Sequence, residues 1–191
     1  MAAAQGGGST QVQDQFPWDK QAVHNELDRV RADFHSLLDG AGPEDLARST
    51  AGTRWTNEEL LFHMLFGYLV VRTLLPLVRV FARLPRPVSR AYARLLDAAT
   101  RPFDVVNYLG AVAGSRVFGH RRMGAKMDRT LAVLHRRLDR ETTASLAGQM
   151  HFPTRWDPFF DDTMSIAELY VYPTQHYDFH RVQLTLPGTS S

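Results

Sequence analysis

"WTNEELLFHMLFGYLVVRTLLPLVRVFA", residues 55–82, sets the architecture of this chain. It opens on a helix-start signal. Thr56 followed by Glu59 forms a capping box: the hydroxyl accepts from a free backbone N–H, and the carboxylate reaches back to the Thr56 N–H. An apolar pattern then runs to about Leu84, with a kink expected at Pro76 and a stop in "LPRP", 84–87. A membrane span needs ~20 apolar residues without charge. Arg72 and Arg79 interrupt this run, and their seven-residue spacing puts them on one face. The pattern predicts a buried helix of a bundle, with no membrane span.

Outward from that helix, the same periodicity recurs. Val23, Leu27, Val30, Phe34, Leu37 and Leu38 step by threes and fours in a first helix, roughly 18–39, stopped by Gly40 and Gly42-Pro43. After the second helix, residues 88–100 read as a short helix. Residues 101–118, carrying Gly110 and Gly114, read as an irregular or partly helical connection that ends at Gly119. Met127, Leu131, Leu134 and Leu138 mark a third long helix, about 120–141. A fourth starts at a Ser165 N-cap, with Glu168 completing its capping box, and runs to about Leu184. No alternating strand pattern, repeat or second domain is visible. The expectation is an all-α four-helix bundle with an extended, partly helical insertion between helices two and three. Residues 1–15, opening on the small, uncharged "MAAAQGGGST", read as a disordered tail, 16–187 as one domain, and 188–191 as a C-terminal tail.

Composition removes several function classes. The 191 residues include no cysteine, so no disulfide framework, thiolate metal site or cysteine nucleophile exists. A net charge of +2 is no footprint for nucleic acid, although nearly all basic residues are arginine. The start lacks the basic and apolar regions of a signal peptide, and a cytoplasmic location is expected.

Chemistry concentrates in the histidines. His176 and His180, four apart, lie one helical turn above each other on one face and can offer two imidazoles to one divalent ion such as zinc, nickel or iron. His63, inside the most apolar stretch, needs a buried partner and is the candidate third ligand. Glu59, one turn before it, is placed to ligate or to fix the His63 tautomer, although the capping box accounts for it without a metal. His24, His35, His120 and His135 carry weaker signals, and His151 is placed to edge a pocket. Arg86, Arg90, Arg94 and Arg101 would meet an anionic ligand or membrane surface, or simply solvent.

The segment "HFPTRWDPFF", 151–160, is more apolar than a free loop tolerates. Trp156, Phe159 and Phe160 either lid the core or wall a substrate pocket beside the metal. Arg155 is available to pair with Asp157 or to bind a carboxylate, and Tyr177 is grouped with the pocket through its neighbour His176.

Two of these stretches, "RWTNEELLFHM" and "SIAELYVYPTQHYDFHRVQL", resemble the opening of helix two and the last helix of the DinB/YfiT-like superfamily. The resemblance spans roughly residues 18–186 and implies an up-down-down-up bundle with a divalent metal, zinc or nickel, on His63, His176 and His180. It further implies use of a low-molecular-weight thiol, mycothiol or bacillithiol, attacking an electrophile or assisting an isomerisation. The thiol then comes from the cofactor, so a cysteine-free chain is compatible with it. Pro173, one turn before His176, departs from the pattern and is expected to kink the last helix. The 84–120 insertion is also longer and richer in arginine than the family norm. Three functions follow as expectations: a thiol-dependent S-transferase or isomerase, a thiol-independent hydrolase or biosynthetic enzyme, and a non-enzymatic ligand-binding bundle. Small-molecule partners go with them, and a second copy in a homodimer is compatible with each.

Overall fold

The computed structural model describes residues 19–187, so the two predicted tails lie outside the described residues. Helix makes up 73% of the structure, and the only sheet among the described residues has two strands, which places the chain in the all-α class. The helices are α1 (Lys20–Asp39), α2 (Pro43–Ala47), α3 (Asn57–Phe81), α4 (Arg86–Ala98), α5 (Thr100–Asp139), α6 (Thr143–Leu146) and α7 (Ile166–Arg181). The strands β1 (Gln149–His151) and β2 (Thr163–Ser165) pair antiparallel between α6 and α7.

Local chemistry fixes the helix starts. Asp19 caps α1 by accepting from the Gln21 N–H (2.8 Å). Thr56 and Glu59 close the capping box of α3, and Ser165 and Glu168 that of α7. The first and last of the four predicted long helices therefore start within two residues of their expected positions. The α7 helix continues through Pro173 to Arg181, with that proline buried. By length and composition α3 is apolar enough to cross a membrane; 56% of its most apolar window is buried inside this fold.

The core forms where α3 packs on α5 and α7, and α1 on the same two helices. Leu27, Val30 and Phe34 of α1 meet Leu60, Leu61, Met64 and Leu65 of α3, Met123, Met127 and Leu134 of α5, and Leu169 and Tyr177 of α7. Each such side chain, removed from water, contributes about 2 kcal/mol. At the far end, the buried Glu141 carboxylate pairs with Arg79 and accepts from Ser145, tying α3 to the turn before α6.

Two expectations are corrected. Residues 101–118, expected to be irregular or partly helical, are helical throughout: α5 runs from Thr100, and the break is one residue, Gly119, at φ +58° and ψ 161°. Beyond it the helix restarts with the His120 N–H donating to Glu58 of α3 (3.0 Å). Gly110 and Gly114 do not break the helix. Gly114 is small because the Phe62 ring occupies the space a Cβ would fill. The second correction is the β1–β2 hairpin, where Met150 faces Met164 across the ladder. Three residues per strand are too few to show alternation. The hairpin clamps the two ends of the 152–162 loop.

Candidate metal centre

His63 on the second turn of α3 and His176 and His180 on α7 converge inside the fold. One ring nitrogen from each lies within 4.8 Å of the others. Ring centroids are 4.8 Å apart for His63–His176 and for His63–His180, and 4.6 Å for His176–His180. All three are buried. Gly67, one turn after His63, leaves room for this: a Cβ there would sit 3.0 Å from His176 Nδ1.

The hydrogen-bonding state of these rings is unusual. His63 Nδ1 and His176 Nδ1 are buried with no partner. The Nε1–H of Trp55, which lines the cavity around them, is a third such atom. An unpaired buried polar atom costs about 1–3 kcal/mol, so a site that holds three of them favours a bound partner. His180 Nδ1 pairs with Gln183 Oε1 (2.7 Å), which leaves Nε2 as its free nitrogen. Burial pushes the His63 imidazolium pKa down to about 3, helped by His180. Burial likewise lowers His176 far and His180 less. Three imidazoles held neutral, each with one ring nitrogen within 4.8 Å of the others, fit the donor set of a divalent metal such as zinc or nickel.

Around the cluster lies a cavity of about 380 Å³. Trp55, immediately before the α3 cap, stacks on His63 at 4.4 Å. Its far walls come from α4 (Tyr92, Leu96), α5 (Phe103, Asn107) and the 152–162 loop. Trp156 anchors that loop by stacking on Phe103 at 3.9 Å and donating its Nε1–H to the Leu96 carbonyl (2.8 Å). Phe159 packs against Phe179, and Phe160 against Tyr172. Trp156, Phe159 and Phe160 all line the cavity, and Phe159 and Phe160 also pack against the core.

Asp157 is the carboxylate of the site. Its Oδ2 lies 3.7 Å from His176 Nε2 and accepts from the Tyr172 hydroxyl (2.8 Å), while Oδ1 accepts from the Phe159 N–H (2.9 Å). Burial raises its pKa, and the two donated hydrogen bonds pull it back. The sequence offered Asp157 only as a partner for Arg155, and that pairing does not form. Arg155 is exposed, its N–H donating to Asp97, and it does not line the cavity.

Tyr177 is also displaced from its expected role. Its hydroxyl donates to Asp33 of α1 (2.7 Å), and the ring is in the core. A residue next to His176 on a helix is turned about 100° from it, so the two cannot share a pocket face. Glu59 Oε2 accepts from the Thr56 N–H (3.0 Å), the capping role, and Glu59 is outside the histidine group. His151 turns to Asp162 (3.2 Å) and does not line the cavity. His24 and His135 stack on each other at 4.9 Å, and His35 pairs with Asp128.

The sequence assigns no site role to Trp55, Gly67 or Gln183, and to Asp157 only a pairing with Arg155. Trp55 and Gln183 both lie inside the two quoted signature stretches, which was the available signal. Comparison with protein-family models, with curated proteins and with solved structures returns no match.

Proposed function

We propose that this chain is a metal-dependent enzyme of the DinB-like type, in which His63, His176 and His180 hold a divalent zinc or nickel ion. In this reading α1, α3, the part of α5 after Gly119 and α7 form the four-helix, up-down-down-up bundle. The observation that carries it is the pair of partnerless nitrogens on buried His63 and His176, within reach of His180 at the floor of an apolar cavity. When bound, the metal supplies Lewis acidity and lowers the pKa of a small thiol or water held beside it.

The chain's own residues supply the rest. The aromatic walls exclude water and take the apolar body of an electrophile. Asp157, fixed by Tyr172 and the Phe159 N–H, is positioned to accept a proton at Oδ2 beside His176. The reaction is S-transfer or isomerisation assisted by a low-molecular-weight thiol. No lysine or arginine lines the cavity. Glutathione and bacillithiol carry carboxylates that would find no basic side chain to pair with on the cavity walls, so the uncharged mycothiol is the favoured thiol.

Asp157 also favours a second reading, in which the same centre acts on water as a hydrolase and needs no thiol. Purified, zinc-loaded protein offered apolar electrophiles with mycothiol, bacillithiol, glutathione or no thiol separates the two. Turnover with mycothiol alone supports the first; turnover without thiol selects the second; no turnover in any arm removes both. In the productive arm, Trp156→Ala raises KM about tenfold, since it removes one wall and the Phe103 stack, and leaves metal content unchanged. Lost metal at unchanged KM would contradict the placement of Trp156.

A further inference from the structure

The helices that wall the cavity turn an unusual surface to the outside. On α5 the inner stripe is Phe103, Asn107, Ala111 and Phe118, while Val106, Leu109, Ala113 and Val117 step by threes and fours along the opposite side. Val106 and Val117 are 67% exposed and Leu109 55%. On α4, Ser89, Tyr92, Ala93 and Leu96 face inward, and Val88 and Leu95, seven apart, are exposed on one flank. Val80 and Leu84 at the end of α3 are exposed as well. Single exposed apolar residues need no explanation, but a stripe of them over two consecutive helices does.

The charge of the same segment is lopsided. Residues 82–122 contain eight arginines and two aspartates, whereas the rest of the chain contains fourteen basic and eighteen acidic residues. Arg86, Arg90, Arg94 and Arg101 are exposed. One of the two aspartates, Asp97, is already engaged by the Arg155 N–H. Two copies meeting through this face would oppose arginine to arginine with few acids to offset them, which disfavours a homotypic contact. An apolar stripe flanked by arginines matches an element that lies in the surface of an anionic bilayer: α4, at 13 residues, is too short to span one, and α5 before Gly119 carries Arg101, Asp104 and Arg116.

We infer that the outer face of α4 and the first half of α5 docks on an anionic lipid surface, with Leu95, Val106, Leu109 and Val117 entering the headgroup boundary and the arginines meeting lipid phosphates. The inner face of the same helices walls the apolar cavity, so docking places that cavity beside the lipid phase.

Flotation of the full chain with vesicles tests this. The probes are phosphatidylcholine alone and phosphatidylcholine mixed with phosphatidylglycerol, each at low and high salt. The chain is expected to float with the anionic vesicles only and to be released as salt rises. Arg90→Glu/Arg94→Glu is expected to cut partitioning by at least tenfold, on the scale of about fivefold per arginine lost. Val106→Ser/Leu109→Ser, which leaves charge unchanged, is expected to cut it about tenfold. Both variants change exposed side chains, and circular dichroism should show unchanged helicity. Failure of the wild-type chain to float with anionic vesicles overturns the inference. So does undiminished flotation of the serine variant. A stable dimer in sedimentation that Val106→Ser/Leu109→Ser dissociates also overturns it, since a second copy would then cover the face.

Discussion

The histidine centre and the α4–α5 hairpin are opposites in how they treat polarity. At the centre, polar nitrogens of His63 and His176 are buried without partners. On the hairpin, Val106, Leu109 and Val117 are in water without partners. Each arrangement costs free energy in the isolated chain. The centre is braced from several sides: Gly67 makes the space, Trp55 stacks on His63, Gln183 holds His180 and Asp157 stands beside His176. Nothing comparable braces the outer hairpin face. Structural cost with scaffolding around it marks a site where an ion would bind, whereas cost on an open face marks a surface.

Acid should break the comparison most strongly. The three site histidines have folded pKa values below the ordinary 6.5, His63 near 3. As pH falls below about 6.5, the unfolded chain takes up protons that the folded chain refuses. Their contribution to stability is therefore present above that pH and lost on the way down, for His63 until about 3. His63 alone gives a slope approaching roughly 1.4 kcal/mol per pH unit between its unfolded and folded values, and His176 and His180 add to it in the same direction. Urea melts in chelator at stepped pH values read this directly. A flat stability between pH 6.5 and 5 would mean that the rings are not buried neutral.

Next in size is His176→Ala. Removing one of three ligands should weaken zinc binding at least a hundredfold, roughly 3 kcal/mol, with helicity retained. Calorimetry and metal content check it, and one tightly held ion per chain in the variant would exclude His176 as a ligand. Smaller is Gly114→Ala, on the inner side of the hairpin, where the new methyl meets the Phe62 ring. Overpacking of that kind costs about 2 kcal/mol. A thermal melt matching wild type would show that α5 does not press on α3 there.

Much of this difference was legible before the fold was known. Capping boxes at Thr56 and Ser165 and the spacing of His176 and His180 are local facts, and the structure keeps them. What was not legible depends on distant neighbours. Gly114 reads as part of an irregular or partly helical connection, since nothing in its own stretch tells of Phe62, 52 positions away in sequence. Asp157 was assigned to the adjacent Arg155, and only the packing of the 152–162 loop onto α7 reveals Tyr172 and His176 as its neighbours. Tyr177 was grouped with the pocket by adjacency, against the rotation of the helix, and belongs to Asp33.

The central claim, that His63 joins α3 to α7 through one bound ion, is tested most directly by thermal melts of wild type and His63→Ala, chelator-treated and then with and without zinc or nickel. A metal that binds only the folded site stabilises by about 2.7 kcal/mol at a hundredfold excess over Kd. The account predicts a rise in Tm of several degrees for wild type and almost none for His63→Ala. An equal rise in both proteins, or none in either, would contradict it.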